Sequence, residues 1–139
     1  MFHWIEVRAF CHATEEEDRV LAALRTVMPE VEPRREALAG HFGNPLLVLT
    51  ARAEDAPAQR AAWTRIVAAL GKDEVLRALE VRLDEDGVYH LRLDKQKAYL
   101  GRIETATTPD AIAFRAKVAA FPKKPAIVVE VLRRAAEGA

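Results

Sequence analysis

The chain has 139 residues, half of them apolar and 30% charged, with 21 Lys and Arg balanced by 21 Asp and Glu. A domain of this size hides roughly 68% of the surface its unfolded chain exposes, so the composition excludes disorder and predicts one domain over residues 1–139. No apolar run approaches the ~18 residues of a membrane helix, and Glu6 and Arg8 interrupt the start where a secretory signal would be apolar; a cytoplasmic protein with no membrane contact is expected.

Phe2 to His12 sets Ile5, Val7 and Ala9 against Glu6 and Arg8, the period-two pattern of a strand with one solvated face. Thr14 and Glu17 then have the spacing of a capping box, which predicts a helix carrying Val20, Leu21, Leu24, Val27 and Met28 and ending at Pro29. Val31 to Ala39 is polar. The turn formers of GHFGNP, residues 40–45, separate it from the apolar run Leu46 to Ala51, and together they predict a hairpin. Ala56 to Leu70 and Lys72 to Leu83 both show helical spacing, divided at Gly71; an alternative pairs Val81 to Leu83 with Val88 to Leu93 across the DEDG turn.

From Val88 alternation returns: Val88, His90, Arg92 and Asp94 face one way, Tyr89, Leu91 and Leu93 the other. KQKAYLG interrupts as a turn or one helical coil. Arg102 to Thr105 and Asp110 to Ala119 are read as two further strands, and Pro122 to Pro125 lead into a last amphipathic helix. The order predicts an α+β fold, a largely antiparallel sheet with helices packed on one face.

Several chemistries are excluded by spacing. His3, His12, His41 and His90 are scattered, with no paired metal-ligand motif, so no metal or other cofactor is expected. Cys11 is the one cysteine, so no internal disulfide forms; His12 beside it on a strand points to the opposite face, which leaves the thiol without a base. No phosphate-cradling glycine loop is present, and the acids at Glu15 to Asp18 read as a solvated helix start. These absences predict a protein that is not an enzyme.

The neutral total is a cancellation. Through Gly87 there are 11 basic and 16 acidic residues; from Val88 onward there are 10 basic and 5 acidic. This split predicts a basic face supplied by the second part of the chain, able to meet a partner of negative charge. Its densest stretch is LRLDKQKAYLGR, residues 91–102. There Arg92, Lys95, Lys97 and Arg102 suit phosphate contacts, Gln96 can read a base edge, and Tyr99 offers a ring for an unpaired base.

The strings IEVRAFCHATEEEDRV, GHFGNPLLVLTAR and LRLDKQKAYLG, above all Asp94 to Gly101, resemble an archaeal family of RNA-binding proteins or predicted exosome subunits, over nearly the whole chain. The resemblance implies a curved antiparallel sheet similar to that of the ribosomal protein that binds 5S RNA. It also implies RNA as partner and an accessory role in RNA processing with exosome or ribonuclease P proteins. Candidate contacts placed on the family's motif are Arg92, Lys95, Gln96, Lys97, Tyr99 and Arg102, with His41 and Asn44 at the central turn. Arg34 and Arg35 extend the groove if the hairpin lies beside the DKQK loop. A protein-interaction subunit without direct RNA contact is the alternative, and both monomer and homodimer are compatible with the sequence.

Overall fold

The computed structural model describes residues 1–39 and 45–139. Its elements run β1 (Phe2–Cys11), α1 (Glu17–Val27), β2 (Arg34–Ala39), β3 (Pro45–Ala53), α2 (Ala56–Leu70), α3 (Lys72–Val75), α4 (Leu79–Arg82), β4 (Val88–Asp94), α5 (Lys95–Tyr99), β5 (Ala111–Val118) and α6 (Pro125–Glu137). The five strands form one antiparallel sheet in the order β2-β3-β1-β5-β4. This is the expected α+β architecture.

Alternation along each strand decides which face is buried. Ile5, Val7, Ala9 and Cys11 of β1, Leu49, Ala51 and Ala53 of β3, Ile112, Phe114 and Ala116 of β5, and Tyr89, Leu91 and Leu93 of β4 all point to one side. There Leu24 and Val27 of α1, Trp63 and Ile66 of α2, and Leu132 of α6 close the core. Burying this apolar face removes side chains such as Phe114 and Ile66 fully from water, worth about 1.5–3 kcal/mol each. Trp63 lies at its centre, its ring 4.9 Å from Phe2, 5.7 Å from Tyr89 and 6.4 Å from Phe114.

One irregularity at the start of β1 matters for the other face. Strict alternation would put Phe2 and Trp4 on the same side, but the pairing with β5 shifts register between them. Phe2 therefore enters the core against Trp63 while Trp4 stays outside, as a bulge allows.

Several details differ from the sequence expectations. The capping box does not form: α1 begins at Glu17, behind Glu16, with no side-chain cap, because Glu15 accepts from the His12 amide at 3.0 Å and from Lys95. The helix expected over 72–83 is broken into α3 and α4, with Ala78 left-handed at φ 54° between them. Tyr89 anchors this break from below, donating its hydroxyl to the Val75 carbonyl at 2.6 Å; burial pushes its pKa up to about 12. The alternative pairing across DEDG is realised as a single bridge, Leu83 to Tyr89, around Gly87 at φ 77°. Arg102 to Thr105 is not a strand. It runs along the outer edge of β4 through one bridge, Leu93 to Thr105, and the bonds Asp94 N–H to the Glu104 carbonyl and Ala106 N–H to the Arg92 carbonyl, both 2.8 Å.

Candidate nucleic-acid interface

Among the described residues all of the main helices pack on one side of the sheet, which leaves the other face open. The register fixes what that face displays. Arg34 of β2 lies opposite Thr50 of β3, Thr50 opposite Arg8 of β1, Arg8 opposite Ala113 of β5, and Ala113 opposite Arg92 of β4. Three arginines thus stand in one row across all five strands, on alternate strands, separated by the small side chains of Thr50 and Ala113. With strands about 4.8 Å apart, neighbouring arginines are rooted roughly 10 Å apart and the row spans about 19 Å. Arg8, Arg34 and Arg92 are exposed, and among the described residues none pairs with a carboxylate. Arg92 donates to the Pro109 carbonyl, and the Arg8 guanidinium lies 5.6 Å from the Phe10 ring.

The next row is built differently. Arg52, Glu6, Arg115 and His90 face one another along β3, β1, β5 and β4. Glu6 is only 7% exposed, and its two oxygens divide the arginines: Oε2 accepts from Arg52 at 2.8 and 3.1 Å, and Oε1 lies 3.6 Å from Arg115 Nε. Both guanidiniums lie over Trp4, Arg52 at 4.3 Å and Arg115 at 5.2 Å from the ring centroid, close enough for cation–π attraction. His90 turns aside to Asp84, 2.8 Å away. Burial raises the Asp84 pKa, but that bond and the amides of Val88 and Asp86 outweigh it and hold the carboxyl below its ordinary value. Lys117 completes the face near Trp4, its pKa lowered by desolvation and by the neighbouring Lys123.

The DKQK segment lies elsewhere. Asp94 caps α5 by accepting from the Lys97 amide at 2.8 Å, and α5 packs against α1 on the helical side, where Thr26 donates to the Ala98 carbonyl at 2.6 Å. Lys95 is 4% exposed. Its ammonium meets the Phe10 carbonyl at 2.8 Å, Glu15 at 3.0 Å and Asp110 at 3.0 Å, so no donor remains for a phosphate. Lys95 is a corrected assignment: it ties β1, α1 and the start of β5 together. His12, Glu15 and Asp110 have metal-ligand spacing, within 4.8 Å of one another, but the Lys95 ammonium already serves as the cation of the two carboxylates.

Of the remaining candidates, Gln96, Tyr99 and Arg102 are exposed and Lys97 is half-buried. Tyr99 is stacked by Arg19 at 5.5 Å and borders a cleft of about 250 Å³ whose walls include Glu15 and Glu16, an unfavourable seat for phosphate. Arg102 lies 3.8 Å from Glu104 at the β4 edge. Arg34 and Arg35 point to opposite faces: Arg35 faces the helices and pairs with Glu17 at 2.8 Å. The hairpin and the DKQK segment are not neighbours, because β2 and β4 are opposite edges of the sheet. His41 and Asn44 lie outside the described residues. Cys11 is buried, which pushes its thiol pKa up, and Glu15 adds to the effect.

The open face also corrects the origin of the basic surface. Arg8, Arg34 and Arg52 come from the acidic first part of the chain; alternation on β1 already sets Arg8 on the solvated face, whereas the apolar run Leu46 to Ala51 stops short of Arg52. Trp4, Phe10, Arg52 and Arg115 are not among the contacts expected from the sequence. What the sequence could not supply was the lateral register that brings them together.

Comparison with known proteins gives the family and the fold. The family model for RNA binding matches residues 4–118. An RNA-binding protein of Pyrococcus abyssi is 38% identical over 98% of this chain and 94% of its own length. DUF54 proteins of solved structure share the fold: that of Archaeoglobus fulgidus superposes with a TM-score of 0.88 at 34% identity, covering 97% of this chain and 99% of that one. That of Methanothermobacter thermautotrophicus superposes with a TM-score of 0.81 at 37% identity, covering 97% and 98%. With the family model spanning all five strands and a relative alike along nearly its whole length, the chain belongs to the archaeal RNA-binding family.

Proposed function

We propose that this protein binds RNA, without catalysing a reaction on it, through the open face of its sheet. The observation that carries the reading is the row Arg34, Arg8 and Arg92, three exposed guanidiniums with no acid partner among the described residues, on a face no helix covers. Such groups supply phosphate contacts and salt-sensitive affinity. Lys97, Gln96, Tyr99 and Arg102 extend the surface around the β4 edge, as secondary contacts. Family membership and the named relative support RNA as the ligand. In the cell this reading makes the protein an accessory factor of RNA processing or degradation, working beside the exosome or ribonuclease P, with the sheet similar in kind to that of the 5S-RNA-binding ribosomal protein.

Fluorescence anisotropy with labelled RNA of mixed sequence tests the reading. Affinity should fall linearly on a log–log plot against salt, by about 0.7 per phosphate contact for single strands. No binding at low salt overturns it.

The interaction-subunit alternative has one observation of its own. A cleft of about 560 Å³ between α4 and α6 is lined by Leu76, Leu79, Leu83 and Val128. Phe121 and Val81 elsewhere on the surface are 97% and 80% exposed. Capture of the same partners from nuclease-treated and untreated extract would favour this alternative; loss after nuclease favours RNA.

A further inference from the structure

The two arginine rows of the open face are chemically unlike, and the difference points to the form of RNA that fits. This inference rests on the RNA-binding reading above. In the first row, among the described residues, Arg34, Arg8 and Arg92 face no carboxylate, and although one Arg92 nitrogen donates to the Pro109 carbonyl, the row keeps donors for phosphate oxygens. In the second row the fork of Arg52 is already taken: its Nε and Nη2 both donate to Glu6 Oε2, at 3.1 and 2.8 Å. A guanidinium engaged along that edge is a poor bidentate phosphate ligand. What it still presents is its plane, with Cζ 4.3 Å from the centroid of the Trp4 ring and the side chain 39% exposed.

Glu6 therefore works as a clamp. Buried at the centre of the face, it holds Arg52 from one neighbouring strand and draws Arg115 from the other, and both cations settle against the indole. Guanidiniums partly neutralised by Glu6 and lying over an aromatic ring offer a stacking platform, and nucleobases stack on aromatic and guanidinium planes alike. A duplex hides the faces of its bases inside the stack. An unpaired base does not.

We propose that the cluster of Trp4, Arg52, Arg115 and Glu6 is a seat for an unpaired nucleobase, stacked on the clamped guanidinium plane, while the Arg34–Arg8–Arg92 row takes the phosphates of the same single strand. The protein is then selective for single-stranded over double-stranded RNA.

Intrinsic fluorescence reads the seat directly. Trp63 is 2% exposed in the core, so RNA at the open face should alter Trp4 emission alone. Titration with a single-stranded RNA should quench tryptophan emission, the quench should vanish in Trp4→Phe, and a duplex of the same sequence should bind at least tenfold more weakly. Arg52→Lys keeps the charge and removes the plane. It should weaken single-strand binding by about tenfold, within the range of one lost stacking contact, and leave the salt slope unchanged. Because Arg52 lies on the surface, this variant is expected to fold, and its circular dichroism provides the control. RNA that binds with no change in Trp4 emission, or a duplex that binds as tightly as the single strand, overturns the seat and leaves RNA binding standing. Absence of binding by either RNA overturns both.

Discussion

The DKQK segment and the open sheet face both carry cations and use them in opposite ways. In the DKQK segment Lys95 is enclosed by Glu15, Asp110 and the Phe10 carbonyl, and Asp94 is a helix cap. On the sheet face Arg34, Arg8 and Arg92 have no acid beside them among the described residues. The dense basic string is largely architecture, whereas the dispersed arginines form a surface. Charge available to a ligand is therefore a property of three-dimensional neighbours, not of local sequence density.

The largest effect that would sharpen this contrast is on the row. Replacing Arg8, Arg34 and Arg92 together by Gln should lower RNA affinity by about a hundredfold and reduce the salt slope by about 2, three contacts at 0.7 each. An unchanged slope in anisotropy titrations would break the comparison on its strongest side. Next comes Lys95→Met, which strands two carboxylates and a carbonyl. Denaturant unfolding should show a loss of about 2 kcal/mol, while the folded variant binds RNA with unchanged slope. A smaller effect is expected at the rim: Lys97→Ala with Arg102→Ala should weaken binding no more than about fivefold, as exposed secondary contacts do. A loss equal to that of the row would return the DKQK segment to the centre of the interface.

The smallest effect concerns stability away from either region. Hydrogen bonds from Arg77 first and Arg82 second hold the Glu74 pKa at about 2, against an ordinary 4.5. A carboxyl depressed by folding stabilises the native state above its unfolded pKa, and the contribution is lost as pH falls through the folded value. Glu74→Gln should therefore melt a degree or two below the parent at pH 6, with the gap closing between about pH 4.5 and pH 2.

Much of the fold was legible because burial imposes simple periods. The alternation of Ile5, Val7 and Ala9 named the inner face of β1, and the spacing of Trp63, Ile66, Val67 and Leu70 named α2. Failures came where a side chain had a competing use. Thr14 and Glu17 have the spacing of a capping box, but Glu15 between them is engaged by the His12 amide and by Lys95, and the helix starts two residues later, at Glu17 behind Glu16. Arg34 was legible as a basic strand residue, and its neighbour Arg35 reads the same way in one dimension. Only strand pairing separates the exposed guanidinium from the one bound to Glu17. Trp4 required more still, since its outward position depends on the register shift after Phe2.

The strand order also governs when the protein becomes competent during synthesis. The first of these five strands to leave the ribosome occupies the middle of the sheet, with β3 on one side and β5 on the other. Its first partner is complete by Ala53, but β5 ends only at Val118, and contacts between such distant parts of a chain form late. The earlier half holds Arg8 and Arg34 in register; Arg92 and Arg115 join them only when β5 closes against β1. A nascent chain thus carries an unfinished row and half a clamp, and the full surface is delivered in the same step that completes the core.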